Sequence, residues 1–350
     1  MVYALGTVSS SLILVGFAKL IDHIDLRIYS FIISMGLVIA CLGMYILYNS
    51  VVFLFFIIFA LRFFGQGAMS HAGETTMARY FGKNRGKAIS VGTFGGMIGV
   101  MILPLIVVYF TKIIGWQHVW LVASLSILIF FLPLLFLSLQ DQNIRHSNFT
   151  ESIKDNEESK RWKTREVVVD KKFYVYLPLS IATSFISTGL TFHQIFIINQ
   201  KGWTMDMLGS SYVFLGIFSI IGLIFGGPII DKYNTKKIIL FALLPLFLGV
   251  LTLIFFDSYY SMLVYMSLLG LNLGITAPFI GSLWAELYGL ESLGSVKALL
   301  HACGVFASAL SPVIFGYIID AGFGIVAISV ISLVIIIVST SLPIFYKHIE

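Results

Sequence analysis

Arg62 lies about eleven residues into an apolar run, so at about 1.5 Å of rise per residue it sits ~16 Å deep in a bilayer. Insertion scales charge ~2.5 to 3.5 kcal/mol for arginine at such a depth, a cost offset by a watery cavity or a partner group. Two roles therefore compete for Arg62. One is a site for an anion or a coupled proton, and the other is a tie to carbonyls or a carboxylate of a neighbouring helix. Gln66 and Ser70 follow at i+4 and i+8 and share its drifting face, which is expected to meet a solute pathway. His193 and Gln194 form a second candidate group, after Thr183, Ser184, Ser187, Thr188 and Thr191. An imidazole with a free pKa of ~6.5 can bind an anion or carry a proton, whereas polar side chains in membrane bundles also serve as interhelical hydrogen bonds. Asn272 is a third candidate contact, in a segment with Gly270, Gly274, Thr276 and Pro278 that suits either bending or tight packing. Glu74 can pair with a basic group of the Arg79–Lys87 run, or it is a plain helix-end carboxylate. His301 is the weakest of these positions.

Other chemistries find no residues to carry them. The chain has no G-x-x-x-x-G-K-[ST] phosphate loop and no metal-spaced H-x-x-x-H. Cys41 and Cys303 fall inside apolar runs, where a thiol behaves as a small apolar residue. No catalytic residue, metal or cofactor is expected, and the chain does not read as an enzyme.

The elements that must position these residues are membrane helices. Hydrophobic residues make up 58% of the 350 and charged residues 11%, a balance outside that of soluble domains. Apolar runs of ~20 residues recur along the whole length. Spans are expected near 3–21, 28–48, 52–78, 87–111, 116–138, 173–198, 208–229, 236–256, 259–283, 293–319 and 323–346. The fold class is an all-α polytopic membrane protein with eleven transmembrane helices, since the runs lack the alternation of barrel strands. With Arg27, the Arg79–Lys87 run, the central basics, Lys232, Lys236, Lys237, Lys297 and Lys347 on one face, that face carries 18 Lys/Arg, against Lys112 and Lys201 opposite. The bias puts the C-terminus in the cytoplasm and residue 1 outside. It also accounts for the net charge of +5 without a nucleic-acid partner. Trp116, Trp120 and Trp203 fall at outer membrane edges and read as interfacial anchors.

One half of the chain repeats the other. A-K-L-I-D-H-I-D-L-R at 18–27 and G-P-I-I-D-K-Y-N-T-K at 227–236 align Asp22 with Asp231 and Arg27 with Lys236, at an offset of 209. Lys87-Ala88 and Lys297-Ala298 keep nearly the same register. Repeated helical halves are a transporter signature. The same offset puts the partner of the 173–198 segment before residue 1, so the first half is expected to lack one helix. Three domains follow: an N-terminal bundle over 1–138, a charged cytoplasmic linker over 139–172 and a six-helix bundle over 173–350. Residues 141–172 hold 15 of the 39 charged side chains. They read as a solvated linker, with a regulatory segment or an interfacial helix around Trp162 to Val169 as alternatives.

The duplicated G-x-x-x-D-[RK]-x-x-x-[RK] loops, the two-bundle layout and the charged central segment resemble the major facilitator superfamily. Gly227, Asp231, Lys232 and Lys236 hold the motif positions in the second copy, whereas the first has Ala18 for the glycine and His23 for the first basic residue. The resemblance implies that these loops, with Asp22 and Arg27, brace a gate. Leu61 to Gly67 is similar to the R-x-x-G-x-G stretch of the family's fourth helix. Gly92 to Pro104 lacks the Gly-Pro pair of its antiporter motif, so antiport is not implied. S-H-A-G-E-T-T-M-A-R-Y-F and T-F-H-Q-I-F-I resemble bacterial members near the monocarboxylate and oxalate/formate branch, which implies a bacterial inner (plasma) membrane. The implied activity is secondary active transport of a small organic solute, such as an organic anion, by alternating access. A monomer is expected, with a proton or another ion as the coupling partner. The alternative is a transport-inactive sensor or incomplete bundle.

Overall fold

The computed structural model describes residues 2–17, 20–21, 24–47, 49–80, 85–140, 162, 164–232, 241–289 and 293–347. The apolar runs form helices throughout, and no strand occurs among the described residues. In chain order these are α1 (Val2–Phe17), α2 (Leu26–Ile46), α3 (Val51–Ala60), a π-helical stretch (Leu61–Met69) and α4 (Ser70–Tyr80). There follow α5 (Arg85–Ser126), a shorter π stretch (Ile127–Phe131), α6 (Leu132–Ser138), α7 (Thr164–Val169), α8 (Lys171–Phe192) and α9 (Gln194–Lys201). The rest are α10 (Met205–Lys232), α11 (Leu244–Phe255), α12 (Tyr259–Tyr288), α13 (Leu293–Asp320) and α14 (Ile325–Lys347). Eight helical stretches among the described residues are long and apolar enough to cross a membrane.

Helix ends follow local chemistry. Asp25 caps α2 by accepting the Arg27 amide at 2.7 Å, and Asp170 caps α8 through the Lys172 amide at 2.9 Å. The expected break between 111 and 116 is a single residue, Gly115, whose φ of 78° puts a kink inside α5. The expected span over 173–198 is instead two helices that part at His193, where φ is −93° and ψ is 17°. The span expected over 236–256 is described only as twelve-residue α11, with Pro245 in its first turn, where the missing N–H costs nothing.

The chain divides into two compact units, residues 1–96 with 106–158 and residues 97–105 with 159–350. In the first, α1 packs along α3 and the π stretch, and α2 closes on the same pair. In the second, α10 packs along α12, α13 along α8, and α11 lies between α12 and α14. The α10–α12 seam is built from glycines: a methyl group at Gly222 would lie 2.6 Å from the Leu271 carbonyl oxygen, and one at Gly226 would lie 2.9 Å from Pro278 Cγ. Such small-residue faces let helix backbones touch, so dispersion replaces the hydrophobic drive that lipid removes. Gly270 and Gly274 belong to this seam, and α12 runs unbroken through them. Of the two readings of that segment, the close approach of the α10 backbone supports tight packing.

The second unit begins earlier than the linker reading placed it. Val167 of α7 is fully buried in that unit's core, and Trp162 packs edge-on to Tyr288 with centroids 5.3 Å apart. The Tyr288 hydroxyl donates to Asp170 at 3.1 Å, and Trp284, stacked on Tyr288, donates its indole N–H to Ser180 at 3.0 Å. Residues 162 and 164–172 are therefore part of the second unit, because they carry an aromatic and an aliphatic anchor that the charge count concealed.

Candidate functional site

The first unit holds a polar cluster inside an apolar helix pair. Phe63 fixes it from the core side: only 5% exposed, it meets Phe17 edge-on at 5.0 Å and stacks on Phe59 at 5.5 Å. Phe64 fills the place of a side chain at Gly36 of α2, where a methyl group would come within 2.5 Å of its ring. With both phenylalanines seated, the π stretch directs Arg62 toward α1. Nine residues of π-helix widen the backbone here, a feature that recurs at functional sites.

Among the described residues, every contact that Arg62 makes is with a neutral group. Its Nε donates to Thr7 Oγ1 at 3.2 Å, one terminal nitrogen donates to Gln66 Oε1, and the other donates to the Tyr3 hydroxyl. Cζ lies 4.8 Å from the centroid of the Tyr3 ring, within cation–π range. The Thr7 hydroxyl is committed to the Tyr3 carbonyl at 2.8 Å, which leaves a lone pair for Arg62. Among the described residues no carboxylate pairs with this guanidinium, and the groups that solvate it are dipoles. Gln66 and Ser70 lie on the exposed side of the same rod, as their spacing predicts. Tyr3 and Thr7 were not anticipated. Their i, i+4 spacing on an apolar helix is the signal that would have found them.

The other anticipated residues are engaged within the second unit. His193 Nε2 lies 2.9 Å from the Pro312 carbonyl oxygen, so that nitrogen carries the proton and donates. Gln194 accepts from the Tyr212 hydroxyl at 2.8 Å, beside a cavity of about 20 Å³ that also touches Thr191, Trp203 and Tyr265. That volume holds about one water molecule. Asn272 is fully enclosed: it donates to the Ala242 carbonyl at 2.9 Å and accepts from Thr183 at 3.1 Å. Trp203 is no lipid-edge anchor, being 7% exposed and donating to the Asp257 carbonyl at 2.7 Å. Lys201 pairs with Asp257 beside it, and Gln200 accepts the first amide of α14 at 2.6 Å.

Of the loop residues, Arg27 reaches across the first unit to the carbonyls of Leu139 at 3.0 Å and Gln140 at 2.9 Å. Gly227 has open space around it, and Lys232 ends α10 on the exposed side. Asp22, Lys236 and the side chains of Glu74 and Asp231 lie outside the described residues.

The family model of the Major Facilitator Superfamily matches residues 1–258 and again 179–350. The chain belongs to the Major Facilitator Superfamily. The two overlapping matches cover its whole length and agree with the repeated halves. No individually curated protein matches the chain. Membership of the Major Facilitator Superfamily makes the protein an integral membrane transporter, and superfamily members typically do no enzymatic chemistry. Arg62 is thus a half-buried cation on a membrane helix of a transporter.

Proposed function

We propose that the protein is a secondary active transporter that moves a small organic anion by alternating access of its two bundles. The observation that carries this reading is the contact set of Arg62, which is neutral among the described residues. A guanidinium placed at membrane depth without a counter-charge is ready to receive one from a solute. Gln66 and Ser70 continue its exposed polar face, which a lipid-facing surface would not tolerate. His193, Gln194 and Asn272 tie the second bundle together, as their hydrogen bonds support. Asp22, Arg27, Glu74 and the Gly227, Asp231, Lys232 and Lys236 loop brace the cytoplasmic gate, and the grip of Arg27 on the last turn of the first bundle supports that role. A proton or another ion supplies the driving gradient. The protein works as a monomer in a bacterial plasma membrane with its C-terminus in the cytoplasm, in keeping with the Lys/Arg bias.

Uptake of a mixture of labelled small organic anions into proteoliposomes under an imposed gradient tests the reading. Arg62→Lys keeps the charge and retains more uptake than Arg62→Gln. Equal uptake by wild type and both variants would overturn it.

A further inference from the structure

Two side chains that line the cavity beside α9 hold hydrogen-bonding atoms with no partner among the described residues, the Gln194 amide nitrogen and the Tyr265 hydroxyl. Gln194 commits its Oε1 to the Tyr212 hydroxyl at 2.8 Å, which leaves its two N–H donors. Tyr265 is 5% exposed, so its hydroxyl is shut away from bulk solvent, a position in which polar groups are almost always hydrogen-bonded. The backbone is short of partners at the same place. The His193 amide closes α8 on the Gly189 carbonyl at 3.2 Å, and the Ile197 amide opens α9 on the His193 carbonyl at 3.0 Å. The last carbonyls of α8 therefore lack partners within their own helix, and one of them belongs to Leu190, which lines the cavity.

We propose that this cavity is a site for one internal water molecule, which accepts from Gln194 and Tyr265 and donates to an α8 carbonyl at the helix break. The size fits a single water: the cavity measures about 20 Å³, and a water needs ~10–15 Å³ with about two to four polar partners. Leu208, Met262 and Met266 close the apolar sides, so a larger polar guest would find neither room nor further hydrogen bonds. A metal ion is disfavoured by the same groups, because Gln194 has N–H donors to offer there and no carboxylate lines the cavity. The water joins α9 to α12, as the Gln194–Tyr212 bond joins α9 to α10. It satisfies a broken stretch of backbone at a depth where lipid offers no hydrogen bond in exchange.

Millisecond X-ray hydroxyl-radical labelling of the purified full chain, read by peptide mass spectrometry, tests the site, because a buried side chain is labelled only where a water lies against it. Met262, 1% exposed, and Met266, 5% exposed, become labelled, whereas fully buried Trp284, whose indole N–H is taken by Ser180, does not. Labelling of both methionines no faster than that of Trp284 overturns the inference. Tyr265→Phe supplies a second reading through the sign of its effect. A phenol bonded to water is missed when it is removed, so the melting temperature falls by about 2–4 °C, the shift of one lost hydrogen bond in a unit of this size. A phenol facing a dry cavity is better replaced by a phenyl ring, and a melting temperature at or above wild type therefore overturns the inference as well.

Discussion

A methyl group on Gly274 of α12 would overlap the carbonyl oxygen of Ser219 on α10, and one on Gly270 would overlap that of Leu215. The obstacle in both cases is backbone, which cannot rotate aside as a side-chain tip can. Gly274→Ala must therefore push the two helices apart, with an expected loss of about 1–3 kcal/mol. Thermal melting of the detergent-solubilised protein checks this. Gly281→Ala, on the same helix with nothing near, should melt at or above wild type because alanine is the better helix former.

Thr7 accepts from Arg62 Nε and is itself 2% exposed. Thr7→Val keeps the shape and removes the oxygen, so it should cost about 0.6–1.7 kcal/mol, the range for polar ties between membrane helices. Thr7→Ser should recover most of that loss. A melting curve for Thr7→Val that superimposes on wild type would show that this bond contributes nothing to the fold.

Asn272 satisfies a donor and an acceptor on two other segments at once. In Asn272→Ala the Ala242 carbonyl and the Thr183 hydroxyl both lose their partner, and stability should fall by about 1–3 kcal/mol. The concentration dependence of uptake by the folded fraction should stay as in wild type. A variant of normal stability with a much higher KM would instead make Asn272 a solute contact.

Trp162, Tyr288 and Asp170 hold the start of the second unit against the end of α12. Trp162→Ala together with Tyr288→Phe should loosen α7, so that trypsin cuts after Arg165 faster than in wild type. Limited proteolysis followed by mass spectrometry measures the rate. An unchanged rate would mean that burial of Val167 alone secures the segment.

Gly36 makes room for the Phe64 ring, which steadies the π stretch. Gly36→Ala should move Phe64, shift Arg62 with it, and lower kcat for uptake more than it lowers melting temperature. Phe64→Leu in the same background, by shortening the intruding side chain, should restore part of the rate. Failure of that rescue would uncouple Gly36 from the arginine.

The amino-acid sequence by itself determined the helical class, the membrane setting and the repeat, because each is written in local apolar periodicity and a fixed offset between Asp22 and Asp231. It also marked Arg62, since a charge in an apolar run is visible without any neighbour. Tertiary structure alone decided what that charge touches. Tyr3 and Thr7 lie some fifty-five or more positions away and come into reach only when α1 packs beside the π stretch. The same holds for His193, Gln194 and Asn272, whose hydrogen-bond partners Pro312, Tyr212, Thr183 and Ala242 only the fold supplies. A polar side chain in a membrane must find a hydrogen bond somewhere, and its identity states the need without naming the partner. Gly270 and Gly274 carry the same lesson for packing: small residues permit either a bend or a close approach, and the backbone of α10 at Leu215 and Ser219 selects the approach.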